Sequence, residues 1–252
     1  MSFIRAVFRL IAFFLATIIL LIILAPCKLT IVPDKLYYSV RRTVMPVFGR
    51  VLAYIVGMNI SKSGPAPDAP FFLVANHLSY IDIIPLWIHT GGTFIAKNEI
   101  KDWPFFGIAA KLAGILFIDR ENKKDISRVN SLLDNAMNKY QGIILFPEGT
   151  STNGKEVLPF HAPLLQFPAV EEIPVSCASI SYSTNDETKP ASQYVCWWGD
   201  KTFFSHFFDL LKIKSFDAKI VFGDKKVTDK NRKKLAKVLH QKVEANFIPI
   251  DN

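Results

Sequence analysis

The chain has 252 residues, 50% of them hydrophobic, and a formal charge of +8 from 30 Lys and Arg against 22 Asp and Glu. This length and apolar content exclude a disordered chain and suit one domain with a membrane segment. The positive balance favours anionic partners, yet no zinc-finger spacing or RNA-recognition aromatic motif is present, so no nucleic-acid partner is expected.

From Leu10 to Ala25 the sequence reads LIAFFLATIILLIILA, sixteen residues without a charge. As a helix this stretch covers roughly 24 Å, short of a bilayer core of about 30 Å. Arg9 can lengthen the usable span by snorkelling. A full crossing, a re-entrant hairpin and a deep interfacial helix all satisfy the pattern. A cleaved signal peptide fits less well, because Ala25-Pro26-Cys27 makes a poor cleavage site. Positive charge lies on both sides, so it assigns no orientation. Cys27, Cys177 and Cys196 are too scattered for a disulfide framework or a zinc site. They read as buried thiols in a reducing compartment. The expected place is therefore a cell inner membrane, with the domain after the apolar segment on the cytoplasmic side.

Residues 35–59 carry a helical pattern in Leu36, Val40, Val44, Val47, Val51, Leu52 and Ile55, which Pro46 and Gly49 should bend. Arg41, Arg42 and Arg50 suit a headgroup layer, so the segment reads as an amphipathic helix on a membrane; an ordinary core helix is the alternative. SKSGPAPDAP, residues 61–70, is a turn-rich linker. The expected division is a membrane anchor and amphipathic region over 1–60 and a second domain over 70–252.

Beyond the linker, short apolar runs alternate with helical stretches, which predicts an α/β domain: a mixed central sheet flanked by helices, preceded by the membrane helix and the amphipathic helix. Four of the runs end in polar residues. Phe71–Ala75 leads into Asn76-His77, Thr93–Ala96 into Lys97, Gly114–Ile118 into Asp119-Arg120, and Gly142–Phe146 into Pro147-Glu148-Gly149-Thr150. Ligands of open α/β sheets bind beyond the carboxyl ends of the strands, so the four ends suggest one polar site.

The segment NHLSYID sets His77 five residues before Asp82. Five helical positions turn through about 500°, so the two meet only if His77 precedes the helix and Asp82 stands at its start. Ser79 or Asp82 can cap that start, and Pro85 is tolerated in the first turn. Asp82 would fix the imidazole tautomer and leave the other nitrogen as a general base. FPEGTS, residues 146–151, stops a strand sharply and offers N–H groups and hydroxyls to an anion. Glu148 would hold that loop or accept from a polyol, and the guanidinium of Arg120 suits a phosphate monoester. The basic segment from Lys225 to Phe247 reads as a solvated face, with anionic lipid or an acidic carrier protein as alternative partners.

Taken together, these segments resemble the glycerophospholipid acyltransferase family that includes the 1-acyl-glycerol-3-phosphate acyltransferases. Asn76, His77 and Asp82 match its first block, GILFIDR with Arg120 its second, Phe146 to Thr150 its third, and Ile173-Pro174-Val175 its fourth. The resemblance implies that His77, oriented by Asp82, deprotonates an acceptor hydroxyl as it attacks a thioester, with no acyl-enzyme. It implies Asn76, Arg120, Glu148, Gly149 and Thr150 as substrate-binding residues, with Lys97 a weaker candidate. Pro147 and Pro174 are implied as acyl or structural motif positions. No metal or cofactor is implied; acyl-CoA or acyl-carrier protein is the donor substrate, and a lysolipid in a phospholipid membrane is the acceptor.

The implied product is phosphatidic acid, from 1-acyl-glycerol-3-phosphate. Ser151 and His161, however, stand where many relatives carry cations, which argues against strict preference for a phosphate monoester. VCWWGD, residues 195–200, with His206 after it, resembles a branch that includes lyso-ornithine lipid acyltransferases. A non-catalytic membrane-anchored lipid-binding protein is the remaining alternative, and the pairing of His77 with Asp82 argues against it.

Overall fold

The structure is a computed structural model that describes residues 2–29, 33–118 and 126–250. Two long helices open the chain, α1 (Ser2–Leu29) and α2 (Asp34–Val56). A seven-stranded sheet follows, built from β1 (Met58–Ser63), β2 (Phe72–Ala75), β3 (Thr93–Lys97), β4 (Leu116–Ile118), β5 (Ile143–Leu145), β6 (Val175–Ser183) and β7 (Phe216–Phe222). The order across the sheet is β1-β7-β6-β2-β5-β3-β4. All neighbours run parallel except β6 and β7. The fold is therefore α/β with a mixed sheet. β2 and β5 are buried along their whole length, as strands covered on both faces must be, and they read as uninterrupted apolar runs.

The connecting helices are α3 (Ile83–Thr90), α4 (Phe106–Leu112), α5 (Ile126–Ala136), α6 (Gln166–Val170), α7 (Ala191–Tyr194), α8 (Phe203–Lys212) and α9 (Arg232–Glu244). α2 packs on α3, and α9 lies against β6 and the short turn Ala162–Leu165. Because β2, β5, β3 and β4 are parallel neighbours, the carboxyl ends of these four strands lie along one edge of the sheet.

The helix α1 is long and apolar enough to cross a membrane, with a mean hydropathy of 2.9 over its best window. Phe8, Ile11, Leu15, Ile18 and Ile22 form an exposed stripe at helical spacing, whereas Ala6, Leu20 and Leu24 are buried against the rest of the chain. The helix packs on α2, α4 and α8. Arg9 does not snorkel. Its guanidinium donates to the carbonyls of Ile213 (2.5 Å), Lys214 (2.9 Å) and Val56 (3.3 Å), and Arg5 donates to the carbonyl of Lys212. Both arginines therefore tie the helix to the ends of α2 and α8.

Two further expectations are corrected. Arg41 is not a headgroup residue: it is fully buried and donates to the carbonyls of Gly91, Gly92 and Ala113. Three carbonyls satisfy a cation that no carboxylate partners among the described residues, while Arg42 and Arg50 stay exposed. The segment 58–63, placed by composition in the anchor and linker, is the edge strand β1 and pairs with β7 through Ser63. Its polar residues suit an edge, where one row of backbone groups faces solvent.

Candidate active site

A cavity of about 720 Å³ lies between the strand ends and the helices. Its deep walls are largely apolar: Phe13 and Leu20 from α1, Phe48 and Leu52 from α2, Ile84 and Trp87 from α3, and Ala109, Ala110 and Ala113 at α4. Thr17 of α1 also lines them, its hydroxyl donating to the carbonyl of Phe13. Its mouth is lined by His77, Lys97, Glu99, Gly149, Thr150, Ser151 and Trp197–Gly199. A long apolar chain with a polar end matches this division.

His77 reaches the mouth because Asn76 ends β2 in a particular way. The Asn76 amide accepts from Ile180 N (2.7 Å) and donates to Ile180 O (2.8 Å) on β6, which pins the strand and lets the next residue turn out. The backbone of His77 is then held at both ends by the loop after β5. Its N–H donates to Glu148 Oε1 (2.7 Å), and its carbonyl accepts from Thr152 N (3.1 Å). The imidazole stacks on Phe146, with ring centroids 4.2 Å apart.

His77 Nδ1 lies 2.8 Å from Asp82 Oδ2. The same oxygen accepts from Leu78 N (2.7 Å) and Ser79 N (3.0 Å), and Oδ1 accepts from the hydroxyl of Tyr182 (2.8 Å). An ionised carboxylate only accepts, so it matches four donors at once. That assignment makes Nδ1–H the donor and leaves Nε2 with a free lone pair, without a protein partner among the described residues. Asp82 stands in the short turn Tyr80–Asp82 that opens α3, where its carboxylate reaches back to the N–H groups before it. Tyr182, from β6, is a residue that sequence reasoning missed. Burial holds its phenol well above the ordinary range, and the Asp82 charge adds to that.

Glu148 does not face the cavity. Only 2% exposed, it gives one oxygen to His77 N and the other to Leu158 N (2.9 Å), so it holds the loop and has no oxygen directed at a polyol. Burial pushes its carboxyl up to about 8 against the pull of those two N–H groups. Asn76 is likewise consumed by the backbone rather than offered to a ligand. Gly149 turns the chain with φ 75°, a left-handed conformation that favours glycine, and leaves Thr150 exposed at the mouth. Pro147 accepts from His161 N through its carbonyl (2.8 Å), and His161 is exposed without lining the cavity. Pro174 precedes Val175, which pairs with Phe72 at the far end of β2, so it lies away from His77. Arg120 falls outside the described residues. Among the described residues, no group of three His, Cys, Asp or Glu is placed to hold a metal.

One buried histidine lies behind this site. His206, on α8, is fully buried, and its Nε2 lies 2.9 Å from the carbonyl of Cys196. Its Nδ1 lies 2.9 Å from the hydroxyl of Tyr80. Burial lowers its pKa to about 4, with Lys201 acting in the same direction. This folded value lies below the ordinary 6.5, so between the two the unfolded chain takes up a proton that the folded chain refuses. Stability should therefore fall as pH drops from about 6.5 towards 4. A His206→Gln variant should lose that part of the slope when melting is followed at pH 7 and pH 4.5. An unchanged slope would mean that other groups carry it.

Comparison with known proteins agrees with the geometry. The Acyltransferase family model matches residues 57–181. The chain is 30% identical over 225 residues to the lyso-ornithine lipid O-acyltransferase of Brucella abortus, covering 84% of each chain. It is 35% identical over 120 residues to the 1-acyl-sn-glycerol-3-phosphate acyltransferase of Neisseria gonorrhoeae, covering 47% of this chain and 46% of that one. The fold matches the crystal structure of the 1-acyl-sn-glycerophosphate acyltransferase PlsC from Thermotoga maritima with a TM-score of 0.65, at 18% identity and 97% coverage of both chains. A motif set read in order, a shared α/β fold and a relative matched over most of its length make this chain an enzyme of the glycerophospholipid acyltransferase family.

Proposed function

We propose that the chain transfers a fatty acyl group from a thioester, acyl-CoA or acyl-carrier protein, onto the free hydroxyl of a lysolipid, with His77 as general base. The observation that carries this reading is the Nε2 of His77, without a partner among the described residues, at the mouth of an apolar cavity, with Nδ1 fixed by Asp82. Nε2 takes the hydroxyl proton while the oxygen attacks the thioester carbonyl. The tetrahedral oxyanion then collapses, the C–S bond breaks, and the proton returns to the thiolate. Asn76 and Glu148 act by position, through the backbone on either side of the imidazole. Thr150, Gly149 and Lys97 meet the acceptor's polar end. The exposed stripe of α1 sits in the apolar layer of a phospholipid membrane, from which an amphipathic acceptor can enter.

For the acceptor, a phosphate-free lysolipid of the lyso-ornithine class is favoured. The mouth pairs one cation, Lys97, with one carboxylate, Glu99, among its described residues. The Ser151 hydroxyl, where a cation would suit a phosphate, is bonded to the carbonyl of Trp197. A relative matched over 84% of its length carries the same acceptor in its name. The second reading is 1-acyl-glycerol-3-phosphate, giving phosphatidic acid, and the complete FPEGT block supports it. Purified protein in detergent should be offered lyso-ornithine lipid and lysophosphatidic acid separately, each with acyl-CoA and with acyl-carrier protein. A higher kcat/KM with lyso-ornithine lipid is expected. A preference for lysophosphatidic acid would move the acceptor and keep the chemistry, and no acylated product from any pair would remove the acyl-transfer reading.

A further inference from the structure

Residues 195–200 follow α7 and bring to the cavity mouth a part of the chain distant in sequence from the His77 loop, the Glu148 loop and β3 with its following turn. Trp197, Trp198 and Gly199 line the opening, and Trp198 is 45% exposed there. An irregular segment at a mouth needs an outside cause to hold one shape. Here the causes are backbone clamps to both catalytic loops. Trp197 N donates to the carbonyl of Leu78 (2.9 Å), and the hydroxyl of Ser151 donates to the carbonyl of Trp197. The two indoles are fixed in turn: Trp197 Nε1 donates to Lys201 O and Trp198 Nε1 to Ser192 O, each at 2.7 Å.

The remaining clamp is His206. The carbonyl of Cys196 can only accept, so Nε2 carries the proton and Nδ1 accepts from Tyr80. Tyr80 lies between His77 and Asp82 in sequence and lines the cavity. One neutral imidazole thus joins the catalytic loop to Cys196, the residue before Trp197, inside a cluster of Phe203, Phe207 and Trp197 rings. A polar bridge buried among aromatics is costly unless every member is satisfied, and when satisfied it specifies one arrangement.

We propose that the 195–200 segment is the wall that selects the acceptor, and that His206 is the residue that positions it. This deepens the acyl-transfer reading and rests on it. Where it lines the cavity, at Trp197, Trp198 and Gly199, the wall presents uncharged, flat surface, with Ser151 spent on holding it. It therefore packs against the headgroup end of a phosphate-free lysolipid and offers a phosphate monoester no compensating cation.

The test uses full-length protein in detergent as wild type, Trp198→Ala, His206→Phe and His206→Gln. Retention of radiolabelled lyso-ornithine lipid is measured without donor, and kcat and KM are then measured for acceptor and donor. Trp198→Ala and His206→Phe should each weaken retention and raise acceptor KM by about tenfold, the scale of a lost aromatic anchor. Donor KM should move less than twofold. Glutamine can donate to Cys196 O and accept from Tyr80, so His206→Gln should recover most of the loss. Trp198 is partly exposed, so its replacement reads the wall even where His206→Phe fails to fold. Unchanged retention in Trp198→Ala, or a donor KM rising in step with the acceptor's, would overturn the proposal. Wild type that retains the lysolipid but never acylates it, with retention lost in Trp198→Ala, would support the wall and remove the acyl-transfer reading.

Discussion

Replacing His77 with alanine should lower acyl transfer by about 10²–10⁴-fold, the range of a general base in the transition state. The loss should fall on kcat, with donor KM nearly unchanged, because the apolar walls that would hold the acyl chain do not involve the imidazole. Folding should survive. The contacts that fix this position are made by its backbone, to Glu148 and Thr152, and those remain with alanine. The ring's stacking on Phe146 and its bond to Asp82 are lost, while Asp82 keeps its bonds from Leu78 N, Ser79 N and Tyr182, so a modest drop in melting temperature is expected. Acylated product is counted by mass spectrometry beside a thermal melt of the same preparation. Activity within threefold of wild type would sink the general-base assignment. An unfolded variant would instead show that the stack carries the loop.

Arg41→Leu should be the most damaging change to stability away from the site. It would strip the donors from three buried carbonyls, at ~1–3 kcal/mol for each group left unmade. A loss of about 3 kcal/mol or more is expected, read from the denaturant midpoint of the solubilised protein. Burial lowers the pKa of Arg41 to about 10, so it stays protonated at neutral pH and donates as a cation. Arg41→Lys should recover only part of the loss, since one ammonium cannot reproduce a planar fork reaching carbonyls on two separate loops. Activity should fall as well, because Ala113 and its helix α4 wall the cavity. A loss below 1 kcal/mol would mean that water satisfies those carbonyls.

The sequence was legible where the physics is local. The four strand ends are apolar runs meeting polar residues, and parallel pairing brings the carboxyl ends of β2, β5, β3 and β4 themselves to one edge. The spacing of His77 and Asp82 required a loop followed by a helix start, and the turn at Tyr80–Asp82 supplies it. What stayed hidden depends on long-range pairing. Tyr182 is one polar-tipped residue in a nine-residue strand, and nothing nearby in the chain signals that its hydroxyl meets a carboxylate 100 residues upstream. Arg41 misled for the same reason: an arginine on an amphipathic pattern reads as surface unless the carbonyls that receive it are known. Glu148 was left between two roles because composition cannot show which backbone N–H groups will converge on a carboxylate. β1 was missed because an edge strand of mixed polarity resembles a linker.

The bond from His77 N–H to Glu148 has a consequence for how this enzyme can change. Two blocks separated by 71 residues form one mechanical part, since His77 stands where the glutamate puts it. Neither block can drift, be shortened or be transplanted alone without displacing its counterpart. A chimera that borrows either loop from a distant relative should work only when the other loop comes with it. The blocks are distant along the gene and adjoining in the fold, so they should be inherited as a pair.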